Sequence, residues 1–178
     1  MTGAEIAPDD EGARANSSGS TGEAMRIAMA VLTCLVLPHG ATAAEPVVGT
    51  ASVIDGDTIE IGGQRIQLNG VDAPEKWHVC LDESGADYRC GAESASALAA
   101  FLSASRPTRC EFVGRDRHGR PKGTCFRADG MDVNRWLVET GNAVDRETHG
   151  NGLYASAQEI ARSAGAGIWR GQIDSGSR

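Results

Sequence analysis

An α+β fold rich in short strands is what this sequence predicts: a five-stranded Greek-key barrel with about three packed helices. Three observations carry that prediction. Five short runs alternate apolar and polar residues at the period of a strand, and a Gly62-Gly63 pair joins two of them. Between and after these runs, apolar residues recur at three- and four-residue spacing, the period of helices packed on a sheet.

In chain order, Val48–Ile54, Thr58–Ile61 and Arg65–Asn69 read as three strands, with Gly62-Gly63 as a tight hairpin turn between the second and third. A loop holding Cys80 and Cys90 follows. Ala92–Ser103 places Ala95, Leu98, Phe101 and Leu102 on one face of a helix. Two further strands, Arg109–Val113 and Gly123–Arg127, flank a basic turn. Asp132 is positioned to cap a helix that turns Val133, Trp136 and Leu137 inward. After a short extended run at Asn142–Asp145, a last helix spans about Leu153–Ala164, stops at Gly165 and leads into Gly167-Ile168-Trp169. Tyr154 and Trp169 read as core aromatics. Five strands with helices so interleaved fit a barrel of the oligonucleotide-binding type, the OB-fold.

The ends have a different character. Residues 1–24 are polar and without apolar period, and they read as a disordered extension or as sequence upstream of the true start at Met25. From Met25 the chain has the form of an export signal: Arg26, an eleven-residue apolar run Ile27–Leu37, Pro38, and the small-residue cleavage site Ala41-Thr42-Ala43. A run of that length is too short for a bilayer, which needs about 20 residues. The expected organisation is therefore a signal at 25–43, one domain at 44–170 and a flexible tail at 171–178. The product is expected to be periplasmic or secreted, monomeric, and not inserted in a membrane after signal removal.

Whole-chain charge gives no sign of nucleic-acid binding. The 178 residues carry a net charge of −7, and from Ala44 onward 15 Lys and Arg face 19 Asp and Glu. Locally the balance reverses: from Arg106 to Arg127 there are seven basic residues against Glu111 and Asp116, a patch able to contact phosphates. Beyond the signal the cysteines are Cys80, Cys90, Cys110 and Cys125, an even number in a small exported domain, which reads as two disulfides with three possible pairings. Cys80 with Cys90 would close a loop, and Cys110 with Cys125 would bridge neighbouring strands. A zinc site at His78-x-Cys80 is the competing reading, and its ligand spacing is unfavourable.

Three segments within 66 residues carry the chemistry: Asp55-Gly56-Asp57-Thr58, Val71-Asp72-Ala73-Pro74-Glu75, and Asp116-Arg117-His118-Gly119-Arg120. Two acidic clusters offer oxygen ligands to a hard divalent cation, and the basic turn offers positive charge to a phosphate under attack. These segments resemble the thermonuclease, or staphylococcal nuclease-like, family over about Val47–Trp169. The resemblance implies the same OB-fold and a calcium site at Asp57, Asp72 and the carbonyl of Ala73. It implies Glu75 as the carboxylate that takes a proton from, or orients, the attacking water. Arg120 matches the arginine that donates to the phosphate and the leaving oxygen, a role suited to a planar fork. Arg117 and His118 stand where family members commonly have a Lys and a Tyr, and with Lys122 and Arg65 they are candidate nucleic-acid contacts. Near Arg146-Glu147-Thr148-His149, where members often carry a nucleotide-packing tyrosine, this chain has none.

The family's second catalytic arginine lies on the strand entering the Val71–Glu75 segment, and Gln67 stands there. Losing one preorganised donor to a developing oxyanion costs ~2.7 to 4 kcal/mol, roughly 100- to 1000-fold in rate. Arg65 shares a strand face with Gln67 and lies about 7 Å back, a geometry suited only to partial compensation. Three functional readings follow. The first is an exported calcium-dependent phosphodiesterase acting on DNA and RNA, slowed at Gln67. The second is a non-catalytic module that binds nucleic acid or another polyanion on the same barrel. The third, again from the resemblance, is an accessory role in exopolysaccharide (succinoglycan) production, for which no carboxylate pair suited to sugar chemistry is evident.

Overall fold

A computed structural model describes residues 45–146 and 152–171. The expected N-terminal extension, the export signal, the stretch from Glu147 to Asn151 and the tail beyond Gly171 lie outside the described residues. The strands are β1 (Val47–Gly49), β2 (Ala51–Asp55), β3 (Thr58–Ile61), β4 (Gln64–Leu68), β5 (Val71–Asp72), β6 (Cys80–Leu81), β7 (Asp87–Tyr88), β8 (Thr108–Arg115), β9 (Pro121–Phe126) and β10 (Val144–Asp145). The helices are α1 (Cys90–Ser103), α2 (Val133–Glu139) and α3 (Ala155–Ser163), followed by a 3-10 turn at Gly167–Arg170.

Six strands form one sheet in the order β1-β8-β9-β4-β3-β2. Its two outer strands, β1 and β2, are separated in the chain by Thr50 alone. They are halves of one bent strand that pairs with β8 at one end and β3 at the other, so the sheet closes on itself. The five predicted strands are thus the five staves of an OB-type barrel, with no free edge left along most of it. β4 and β9 pair in parallel, Gln67 beside Lys122; the other pairings in the sheet are antiparallel.

Local chemistry explains the turns. Gly62 and Gly63 both take positive φ, 58° and 81°, which a two-residue hairpin of this hand demands and glycine accepts without a Cβ clash. Asp132 caps α2 as its sequence position suggests, its carboxylate accepting from the Arg135 N–H at 2.9 Å. α1 has no side-chain cap. Its first residue, Cys90, is instead tied to Cys80 by a disulfide, and the second disulfide joins Cys110 and Cys125 across β8 and β9, where the two residues are direct partners. Both pairings are those expected from the sequence.

The core lies between the barrel and the inner faces of α1 and α2, where Ile59, Leu68, Val71, Leu98, Val133 and Leu137 are almost completely removed from water. Phe101 of α1 stacks on Trp136 of α2 with ring centroids 3.9 Å apart, joining the helices. Tyr154 is buried at the start of α3, and in the 3-10 turn Ile168 is the buried residue, with Trp169 half-buried beneath the guanidinium of Arg162. Asn134 is one of several buried polar residues and is completely removed from water. Its amide donates to the Asn69 and Gly123 carbonyls at 2.8 and 3.2 Å and accepts from the Cys125 N–H at 3.0 Å. It thereby pins α2 to β9 and to the β4–β5 turn, directly behind the Val71–Glu75 segment.

Candidate active site

Two acidic segments meet because Gly56 has no side chain. A methyl group there would lie 2.7 Å from the Cβ of Ala73 and 2.7 Å from Oγ of Ser94 on α1, so glycine lets the β2–β3 turn dock on the segment after β5. Ser94 is fixed in turn by its hydrogen bond to the Asn142 carbonyl at 2.6 Å. Gly91 does the same for the other end: a Cβ would fall 1.8 Å from the Glu75 carbonyl oxygen, so the first turn of α1 rests on the backbone of Glu75. That carbonyl also accepts from the His78 N–H at 2.7 Å, and the Cys80–Cys90 disulfide closes the loop beyond it.

Asp55, Asp57, Asp72 and Glu75 are consequently electrostatic neighbours. Burial raises the Asp57 carboxyl above its ordinary value, the hydrogen bonds from Thr58 and Gln67 oppose that rise, and the charges of Asp72 and Asp55 reinforce it. Thr58 Oγ1 donates to Asp57 Oδ1 at 2.8 Å and Gln67 Nε2 to Oδ2 at 3.5 Å. Glu75 is pushed up to about 7, first by a hydrogen bond shared with Asp55, then by burial and by the charges of Asp55, Asp57 and Asp72. Neighbouring negative charge of this kind favours the protonated form of Glu75. Asp57, Asp72 and the Ala73 carbonyl offer hard oxygen donors on two converging loops, a set that fits calcium in loose, partly hydrated coordination.

The donors are spread rather than caged. Among the described residues, His78, Cys80 and Cys90 are the three whose potential ligand atoms all lie within 4.8 Å of one another. Both sulfurs are committed to the disulfide, which removes the zinc reading of His78-x-Cys80.

Sequence reading placed Gln67 at the missing arginine, and the structure brings its amide to Asp57, inside this acidic group. Arg65 pairs across the strand with Glu60 at 3.7 Å and is largely exposed. Lys122 lies beside Gln67 in the sheet. Arg120, Arg117 and His118 sit on the β8–β9 turn, organised by Asp116. Its Oδ1 accepts from the backbone N–H groups of His118 and Arg120, each at 2.8 Å, and its Oδ2 accepts from Arg120 Nε at 2.6 Å. Desolvation works against ionisation of Asp116, but these hydrogen bonds and the Arg120 charge outweigh it and hold the carboxyl at about 2. Arg117 Nε donates to His118 Nε2 at 3.0 Å.

Two residues escaped sequence reading. Arg146 donates from Nη2 to Asp72 Oδ1 at 2.7 Å. Only the pairing of β10 with β5, Val144 opposite Asp72, brings residues so distant in the chain together. Trp77, two positions after Glu75, is 73% exposed, an unusual setting for so large an apolar ring and a surface on which a base can stack.

Comparisons with known proteins identify the family. The profile of the family described as staphylococcal nuclease homologue matches residues 65–171, which include Asp72, Glu75 and Arg120 but begin after Asp57. The chain is 68% identical over 173 residues to the succinoglycan biosynthesis protein ExoI of Rhizobium meliloti (strain 1021), covering 97% of this chain and 91% of that protein. It is 34% identical over 122 residues to proteins of Escherichia coli O157:H7 and Escherichia coli, each described as an uncharacterized endonuclease, covering 66% of this chain and 72% of each of them. The barrel, the converging acidic loops and these matches have one explanation: the chain belongs to the staphylococcal nuclease homologue family.

Proposed function

We propose that this protein is an exported, calcium-dependent phosphodiesterase that hydrolyses DNA and RNA, with a rate limited by Gln67. The observation that carries the reading is the docking of Asp55-Gly56-Asp57 against Ala73, which sets Glu75 beside three aspartates whose mutual repulsion a divalent cation would relieve. Asp57, Asp72 and the Ala73 carbonyl would hold the ion, and calcium would supply a Lewis acid for the phosphoryl oxygen and a site for water. Glu75 would accept a proton from that water or orient it, a role its elevated proton affinity suits near neutral pH. Arg120, positioned by Asp116, would donate to the phosphate and the leaving oxygen. Arg117, His118, Lys122 and Arg65 would line the path of the backbone, and Trp77 would stack on a base.

Export is the reading that the signal-like sequence at 25–43 supports, and it suits the two disulfides, which form in oxidising compartments. Among the described residues no helix is long and apolar enough to cross a membrane. A second reading, a polyanion-binding module, is favoured by Gln67 alone, and the similarity to a succinoglycan biosynthesis protein supplies it with a setting in exopolysaccharide production. The deciding experiment incubates the purified protein with plasmid and single-stranded DNA in calcium and in EDTA. Cleavage in calcium alone supports the enzyme; salt-sensitive binding without cleavage supports the module.

A further inference from the structure

Of the four carboxylates that converge at the site, Asp55, Asp57, Asp72 and Glu75, the one ion pair made among the described residues is Asp72 with Arg146. The guanidinium is placed by backbone, not by chance rotation: Val144 and Asp145 pair with Asp72 and Val71, and the Arg146 N–H donates to the Gly70 carbonyl at 2.9 Å. Its side chain remains one-third exposed, so a ligand can reach it. Of the other candidate arginines, Arg65 pairs with Glu60 and Arg120 with Asp116 on the β8–β9 turn that also carries Arg117, and none of the three pairs with a carboxylate of this cluster among the described residues.

Charge balance shows why a guanidinium here matters. Even with a proton on Glu75, a divalent cation offsets two of the three remaining carboxylates, and a phosphodiester would then approach a site still negative. Like charges a few ångströms apart in a partly buried site repel, which opposes binding. Gln67 is neutral and cannot correct this. Lys122, its sheet neighbour, is a point charge without the fork that spans two phosphate oxygens, and it makes no ion pair with the four carboxylates among the described residues.

We propose that Arg146 contacts the scissile phosphate, supplying from just past the end of β10 the guanidinium that Gln67 does not supply from β4. Committing Asp72 to a cation would release Arg146 from its partner and leave it as the charged donor beside the phosphate. The inference rests on the nuclease reading, and its test separates the two.

The full chain carrying Glu75→Gln, which should bind without cutting, is titrated with a short single-stranded oligodeoxynucleotide at saturating calcium over a range of salt. Adding Arg146→Ala should lower the magnitude of the salt slope by about 0.7, the share of one phosphate contact on a single strand, while Arg146→Lys should keep it. Calorimetric calcium binding by Arg146→Ala should be as tight as the parent's or tighter, since Asp72 loses a competing partner; this also reports an intact fold. An unchanged slope in a parent that binds overturns the assignment alone, and so does loss of calcium binding in Arg146→Ala, which would make Arg146 structural. No oligonucleotide binding by the parent overturns the nuclease reading together with the assignment built on it. Restoration of a slow Arg146→Ala enzyme by Gln67→Arg would be the complementary support.

Discussion

The side-chain amide of Gln67 donates to Asp57 Oδ2 across 3.5 Å, from β4 to the turn that follows β2. The site therefore has a neutral hydrogen-bond donor where its relatives' resemblance implies a cation. Gln67 is buried and Arg is larger, and its amide already points at Asp57, so a guanidinium in its place would be directed at the same carboxylate. Gln67→Arg should raise the rate of DNA hydrolysis about 10-fold, less than the 100- to 1000-fold of a fully restored donor if Arg146 contacts the phosphate as proposed. Single-turnover cleavage at saturating calcium reads this directly. No gain would place the bottleneck elsewhere.

Proton binding at Glu75 gives the metal-free protein a pH signature. Its carboxyl titrates at about 7 in the fold against 4.5 for the ordinary group, so the folded state binds more protons than the unfolded one between those values. That contribution to stability is fully present below pH 4.5 and is lost as pH rises through about 7. Denaturant unfolding in EDTA should show it as a decline over this window, and Glu75→Gln should flatten the decline. Calcium affinity should rise over the same window, because the ion displaces the proton shared with Asp55.

Gly56→Ala should separate stability from metal affinity. The added methyl meets Ala73 Cβ and Ser94 Oγ, each at 2.7 Å, so the two acidic loops must part by several tenths of an ångström. Overpacking of this kind costs about 1 to 3 kcal/mol. Calcium affinity should fall by more than that loss alone explains, since the contact that breaks is the one between the ligand-bearing loops. Equal calcium affinity in a destabilised variant would mean the ion does not bridge them.

The disulfides should divide their roles. Cys110–Cys125 joins strands already paired in register, and its removal should act on stability, typically about 2 to 4 kcal/mol. Cys80–Cys90 closes the loop directly after Glu75 and anchors the first turn of α1 on the Glu75 backbone. Replacing Cys80 and Cys90 by Ser should therefore lower kcat by a larger factor than replacing the other pair, when both variants are assayed well below their unfolding temperatures.

How much of this was legible in the chain depended on distance along it. The barrel strands, the Gly62-Gly63 turn, the Asp132 cap and the inward residues of α1 follow from signals a few residues apart, and the fold has them where those signals stand. The pairing of Cys110 with Cys125 was legible because hairpin neighbours face each other. The bend at Thr50, which lets one strand serve both ends of the sheet, was not read, although Gly49 beside it, where a Cβ would meet Ile61 Cγ2 at 2.8 Å, is the kind of strand-interior glycine that marks such a place. Of the two-residue strands, β10 was marked by the extended run at Asn142–Asp145, but β5, β6 and β7 carry too little pattern to announce themselves, and nothing local shows that β10 pairs with β5. With β5 and β10 went the meeting of Asp72 and Arg146, two residues whose partnership is created by tertiary pairing alone.

The central claim is that Glu75 handles the proton of an attacking water at a metal-bearing acidic site. The most direct measurement compares DNA hydrolysis by the unmodified protein and by Glu75→Gln at saturating calcium, with calcium binding of both followed by calorimetry. The account predicts a rate loss of roughly 100- to 10,000-fold with calcium still bound. Equal rates for the two proteins would contradict it.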